Sequence, residues 1–371
     1  MNRAGGIVPE PLAALPWRAL LPVLAIGCFG LVVLYSAAGG SLRPWALSQG
    51  IKFFAFLGGA VVLSQAPLDW FKRLAFPAYG VLLVALLLVE LLGAVRGGSQ
   101  RWLDLGFIRL QPSELMKLAA VLAIARFYDL LPPAESRSWG AIWPPAMLIG
   151  MPAGLVMMQP DLGTALLTCA GGATVMFLAG TPLRLWLGGI GAAAVAIPAA
   201  FQFVLHDYQR NRILIFLDPE SDPLGTGYHI SQSKIAIGSG GIWGKGFLQG
   251  TQSHLDYLPE GHTDFVFATM AEEWGLVGGV LLIVAFILVT RWGLSVAGEA
   301  RTRFARLAAA GLATTIFLYV AINLMMVMGM APVVGIPLPL VSFGGSAQMT
   351  VLLCLGILMA IDRDNRRARH G

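Results

Sequence analysis

The chain has 371 residues, 57% of them hydrophobic and only 12% charged, where an ordinary soluble domain carries roughly a quarter charged residues. So few charges cannot cover the surface of a water-soluble fold, and a mean hydropathy of +0.73 makes the bilayer the expected solvent. The formal charge of +5 is scattered among loops instead of forming one basic stripe, which excludes a nucleic-acid partner.

Apolar segments long enough to cross ~30 Å of hydrocarbon recur ten times, at about 19–38, 47–66, 74–94, 113–128, 141–158, 162–180, 184–204, 264–290, 305–330 and 342–361. The expected fold is an all-α polytopic membrane protein of about ten transmembrane helices in one membrane domain, residues 1–371. Its seventh and eighth helices are joined by a long extracytoplasmic loop, 205–263. The first segment, Ala19 to Ala38, lacks a small-residue cleavage site and is read as a retained helix. The fourth is unusual in carrying Glu114 and Lys117. Cys28, Cys169 and Cys354 fall in separate apolar segments with no ligand spacing, so they are read as small buried packing residues.

Orientation follows from short basic flanks. With a cytoplasmic N-terminus, fifteen Lys and Arg fall inside, among them Arg291, Arg301, Arg303 and Arg306, against five outside: Arg43, Lys52, Arg96, Arg101 and Arg109. Ten spans return the C-terminus to the cytoplasm. Three features then face outward: Val95 to Pro112, Leu205 to Thr263 and Met330 to Val341. Within the second, Ile230, Ile235, Ala236 and Ile237 beside Gln232, Ser233 and Lys234 suggest a short interfacial helix with one wet face.

Three clusters carry chemistry. Glu114 and Lys117, at i and i+3, share one face of the fourth helix, either as a packing ion pair or as the polar wall of an outward cavity. Arg101 and Arg109 lie just before that helix, where two guanidiniums can hold a diphosphate or anchor lipid head groups, and Ser113 can cap the helix. The run His254 to Phe265 gathers Asp256, Glu260, His262 and Asp264 where the long loop re-enters the membrane. Asp264 stands at the apolar boundary, where desolvation makes a carboxylate a better base, unless it merely caps the eighth helix. Glu272 and Glu273 read as polar groups satisfied by packing or as indirect supports. The glycine-rich run Ser239 to Gly246 fails the phosphate-loop pattern, since Ser239 replaces its first glycine and Gly246 follows Lys245. No nucleotide is expected.

At these residues the chain resembles the SEDS family of shape, elongation, division and sporulation proteins. Four blocks carry the likeness: Ser99 to Gly106 continuing through Gln111 to Leu118; Gln159 to Thr164; Leu258 to Phe265; and Asn323 with Gly329 to Ala347. Phe343 departs from the Tyr or small residue expected. The segment Gln232 to Gly246 with Gly250 to Ser253 is similar to the RodA-type elongation members more than to the FtsW-type division members.

The resemblance implies a peptidoglycan glycosyltransferase of the bacterial cytoplasmic (inner) membrane that uses lipid II as donor and acceptor. It also implies a class B penicillin-binding transpeptidase as partner, within a set of elongation-complex membrane proteins. Asp264 matches the family's essential outer-loop aspartate, as catalytic base. Arg101, Arg109, Glu114 and Lys117 match its polar cavity, and Lys234 and His262 are taken as further substrate contacts. A divalent cation, Mg or Mn, is an admissible aid to the leaving diphosphate, with no metal ligands assignable. A lipid II flippase and a non-catalytic scaffold for the transpeptidase remain the alternatives.

Overall fold

The computed structural model describes residues 15–92, 94–96, 99–104, 109–203, 207–218, 222, 225–255 and 257–370. Ten helices correspond to the ten expected spans: α1 (Trp17–Ala37), α2 (Ala46–Leu63), α3 (Leu68–Leu92), α4 (Pro112–Leu130), α5 (Trp143–Met158), α6 (Leu162–Leu178), α7 (Leu183–Phe203), α11 (Val266–Glu299), α12 (Arg303–Val327) and α13 (Gly345–His370). Seven of the helices are long and apolar enough to cross a membrane, and α6 and α7 are shorter apolar helices. The remaining one, α4, carries Glu114, Lys117, Arg126 and Asp129 in its length. The protein is a multi-pass membrane protein.

Helix α12 forms the centre, packed against α4, α6, α11 and α13. Small residues let these backbones close up: a Cβ on Gly293 of α11 would lie 2.8 Å from the Cβ of Ala313 on α12. At the periphery α7 exposes Leu183, Leu187, Ile190 and Val195. Cys354 is buried, but Cys28 is exposed, contrary to expectation, because it sits on the outer face of α1.

The segment between α3 and α4 contains strands, which the helical periodicity did not suggest. Strands β1 (Ala94–Arg96), β2 (Ser99–Asp104) and β3 (Arg109–Leu110) pair antiparallel in that order. They are two to six residues long, too short to show alternation. The long loop contributes α8 (Asp207–Leu217), α9 (Thr226–Gly240) and the single turn α10 (Thr251–His254). The expected interfacial helix is α9, with a different wet face. Ser233 is buried and donates to the Val327 carbonyl at 2.7 Å, whereas Ile235 is exposed. Packing on α11, not polarity, sets its orientation.

Helix α11 spans 34 residues but is broken at Gly275, which has φ +65°. The break frees backbone groups that cannot stay unpaired inside a bundle. The glycine-rich run pairs them. Lys245 N–H donates to the Glu272 carbonyl at 2.9 Å and Gly246 N–H to that of Glu273 at 3.1 Å, while Leu276 N–H reaches the Gly241 carbonyl at 2.9 Å. Approach this close requires glycine, since a Cβ on Gly244 would stand 2.1 Å from the Glu273 carbonyl oxygen. Side chains reinforce the joint. Glu272 accepts from Lys245 Nζ at 2.6 Å and from the backbone N–H groups of Thr251 and Gln252, and Glu273 accepts from Ser36 Oγ. Glu272 is a satisfied support, whereas Glu273 is held through one oxygen only and leaves Oε2 buried without a hydrogen bond. Gly275→Ala places a Cβ 2.3 Å from Gly244 N at a left-handed backbone position. Such a position alone costs about 1–3 kcal/mol. Detergent-solubilised Gly275→Ala is therefore expected to melt earlier and yield less folded protein than Gly298→Ala, whose Cβ meets nothing.

Candidate active site

The segments around 95–112, 263–264 and 330–341 converge on one cavity of about 380 Å³. The strand segment supplies Arg101 and Trp102, the loop end supplies Thr263 and Asp264, and the turn before α13 supplies Gly335, Ile336 and Pro337. Glu114 of α4, Asp161 before α6, Tyr319 of α12 and Ser346 of α13 complete its walls.

Asp264 is held by its backbone. Asn323 on α12 donates through Nδ2 to the carbonyls of Asp264 at 2.9 Å and Ile336 at 2.7 Å. Ser342 Oγ donates to the Thr263 carbonyl at 2.6 Å and accepts from Leu338 N–H at 2.8 Å. Phe343 N–H donates to the His262 carbonyl at 2.8 Å, and Gln49 Nε2 to that of Ser342 at 2.8 Å. These bonds bind 262–264 to 336–343 and leave the Asp264 carboxyl half-buried in the cavity wall, with Oδ2 beside Gly335. The N-cap position of α11 is Phe265, without a side-chain cap. Asp264 is thus not the cap of that helix.

Glu114 and Lys117 form a sealed unit. Lys117, 1% exposed, donates to Glu114 Oε1 at 2.6 Å and lies 4.4 Å over the Tyr319 ring. Tyr319 Oη donates to the other Glu114 oxygen. Glu114 lines the cavity and Lys117 stands behind it. Ser113 is buried with its hydroxyl unpartnered, and the N-cap of α4 is Gln111.

Arg101 is anchored to the turn before α6. Its Nε donates to the Gln159 carbonyl at 3.0 Å and Nη2 to that of Pro160, while Nη1 lies 3.9 Å from Asp161 Oδ2. Asp161 caps α6 through Thr164 N–H at 3.1 Å and accepts from Gln111 Nε2 at 3.2 Å. The guanidinium so held is part of the cavity wall.

Other expected contacts lie elsewhere. The backbone of Arg109 pairs with Asp104, its side chain and Asp256 falling outside the described residues. Lys234 is exposed on α9 with its stem across Gly329, away from the cavity wall. His262 stacks on Trp45 at 4.0 Å between ring centroids. Burial pushes its imidazole below the ordinary value, against the opposing effect of Glu260, so at neutral pH it is an uncharged stacking group.

Sequence reasoning missed Asp161, Tyr319 and Lys52. Tyr319 and Asn323 stand four apart in an apolar span, a helical polar pair that hydropathy alone ignores. Lys52 on α2 lies 4.9 Å over the Phe343 ring at the cavity's edge, its stem beside Gly345. No carboxylate among the described residues pairs with it. For a metal, the cavity offers Asp161 and Asp264. No group of three or more His, Cys, Asp or Glu gathers among the described residues, so a cation here would rely on substrate oxygens and water, as Mg commonly does.

A family model described as cell cycle protein, FTSW_RODA_SPOVE, matches residues 17–367. The chain is 46% identical to the peptidoglycan glycosyltransferase MrdB of Escherichia coli K12 over 92% of each chain. It is 37% identical to the Helicobacter pylori J99 protein of that name, covering 93% of this chain and 88% of the relative. Among solved structures, a chain from a study of structural coordination of polymerization and crosslinking by a peptidoglycan synthase complex is 35% identical. It covers 95% of this chain and 98% of its own, with TM-score 0.83. Thermus thermophilus rod shape determining protein RodA is 31% identical at the same coverage, with TM-score 0.71.

Removing one member of a buried ion pair strands the other, at a cost of roughly 3–5 kcal/mol. Lys117→Ala is expected to lose most folded protein in a size-exclusion melt. Pairing it with Glu114→Gln, which removes the stranded charge, is expected to recover a large part of that loss.

Proposed function

The chain belongs to the FtsW/RodA/SpoVE family of cell cycle proteins, and from that premise we propose that its cavity is where a lipid-linked disaccharide is polymerised into glycan strands. The protein is a peptidoglycan glycosyltransferase of the RodA type. The observation that carries the site assignment is the convergence of Asp264 with Arg101 and the Lys117-backed Glu114, from two segments far apart in sequence, on one cavity.

In lipid II the donor sugar is α-linked to undecaprenyl diphosphate, and the product linkage is β, so one in-line displacement inverts the anomeric carbon. Asp264 takes the proton of the acceptor's 4-hydroxyl as that oxygen bonds to the anomeric carbon. The bond from that carbon to the phosphate oxygen breaks, and its electron pair leaves with the diphosphate. A good leaving group needs neutralisation, not a second carboxylic acid of the glycosidase kind. Arg101 supplies it from a fixed position and Lys52 from the edge, with donors already oriented before the reaction. The Glu114, Lys117 and Tyr319 unit holds the cavity floor rigid. A divalent cation, Mg or Mn, would be held by Asp264 or Asp161 and would supply further charge neutralisation on the diphosphate.

The flippase reading needs a polar path between the two ends of the bundle. On α4 the residues below Lys117 are apolar from Ala119 to Ala125, with Tyr128 beyond, so that helix offers no polar path through this stretch, in keeping with chemistry at one end. That end faces outward in the bacterial cytoplasmic membrane with both termini inside, in keeping with the fifteen-to-five basic asymmetry. A class B penicillin-binding transpeptidase is the fitting partner for a polymerase of this kind. Exposed Val277, Leu281, Val284 and Leu288 on α11 offer it an apolar surface in the lipid.

Asp264→Asn keeps the side chain's size but cannot accept a proton. Polymerisation of lipid II by the purified protein with its transpeptidase is expected to fall by about 10²–10⁴-fold, with melting temperature unchanged. A near wild-type rate would move the base elsewhere. Lys52→Met keeps packing on Phe343 and removes a charge-assisted bond of about 1.5–3 kcal/mol. It is expected to raise the half-saturating lipid II concentration about tenfold or more, and Lys52→Arg to restore most of it.

A further inference from the structure

At the end of the bundle opposite Asp264 lies a second cavity, of about 680 Å³, walled by Arg137, Arg301, Arg303 and Arg306. No carboxylate lines it, and among the described residues no Asp or Glu is ion-paired with any of the four. Four like charges around one hollow repel one another unless an anion sits among them.

Its depth follows from the helices. Glu114 lines the first cavity, and the Leu131 carbonyl at the far end of α4 accepts from Arg303 Nη1 at 2.7 Å. Thr164 to Leu178 on α6 and Tyr319 to Arg303 on α12 run between the same two cavities. At 1.5 Å per residue these stretches cover about 21–26 Å, close to the thickness of a hydrocarbon core. The arginines therefore stand at head-group depth on the opposite face of the membrane.

The site is built, not a loose surface patch. Arg303 also donates through Nη2 to Ser136 Oγ at 2.6 Å and to the Ala179 carbonyl at 3.3 Å, binding the ends of α4 and α6 to the start of α12. Ser136 is 5% exposed. Arg306 is held by the Ala300 carbonyl at 3.3 Å. Arg137 and Arg301 are exposed, leaving planar, bidentate donors for phosphate oxygens. Leu178, Leu307 and Pro133 give the hollow an apolar wall.

We propose that this cavity binds the head group of an anionic phospholipid, with four guanidiniums suited to a lipid carrying two phosphates. The apolar wall receives the first methylenes of its acyl chains, which a free phosphate lacks. The site is independent of the polymerisation chemistry.

The test uses the full chain, delipidated and offered an equal mixture of phosphatidylcholine, phosphatidylglycerol and cardiolipin, with bound lipid read by native mass spectrometry. Cardiolipin is expected to be retained over phosphatidylcholine. Retention is expected to fall about tenfold or more in Arg137→Gln/Arg301→Gln/Arg306→Gln. Arg303 is left intact because it holds three helix ends. Should the triple variant not fold, the single changes at exposed Arg137 and Arg301 carry the test, each lowering retention by several-fold. Equal retention by wild type and folded variants would overturn the proposal, as would equal binding of phosphatidylcholine. Complete displacement of the lipid by equimolar inorganic diphosphate would overturn it too, by showing a site for the free anion.

Discussion

Backbone groups inside a membrane bundle find no water, so every departure from helix must be paired by the protein itself. The half of the molecule that holds Asp264 depends on how that demand is met. Around Asp264 it is met by side chains: Asn323, Ser342 and Gln49 take up carbonyls on both sides of the re-entrant segments. Within α11 it is met by another stretch of backbone, the glycine run, which pairs the groups that the break at Gly275 releases. Without the first device the carboxyl would have no fixed position. Without the second, the half-helix that follows it would have no fixed end.

The two devices converge on one result. Asp264 directly precedes the first half of α11, and that half is clamped behind it by Glu272 and Lys245. Across the cavity Arg101 is fixed by three points on the turn before α6. Charge placed in advance costs no reorganisation when the reaction develops its own. The buried pair of Glu114 and Lys117 belongs to the same scheme, since a pair with satisfied partners stiffens a wall without adding net charge to it.

The helices were legible because span length and hydropathy are imposed by the bilayer, and even α4 could be read despite its charges. Glu114 and Lys117 announced a partner by their cost in lipid, but not which of them faces the cavity. Tyr319, 205 residues from Glu114, has no local signal for that contact. The short strands lie below the length at which alternation shows. The structural use of the glycine run could not be read, because it is set by the break in α11 about thirty residues later. Lys52 read as a topology marker, and only its position over Phe343 connects it with the cavity. His262 and Lys234 carried the right chemistry in sequence, but the one stacks on Trp45 behind the cavity-lining Phe343 and the other lies exposed on α9 across Gly329.

The break in α11 has a consequence for how the protein meets membranes of different thickness. A continuous helix of this length would accommodate a thinner bilayer by tilting as one rod, carrying whatever is attached to its end. Here residues 276–299 exceed the ~20 that suffice to cross, while the preceding turns are tied to the loop through Lys245, Gly246 and Thr251. The crossing half is tied to that same loop, through Leu276 and Val277 N–H on the Gly241 and Ile242 carbonyls, so a change in its tilt is resisted on both sides of Gly275. Asp264 is therefore not carried at the end of one rod; its position is set by the loop and turn contacts around it.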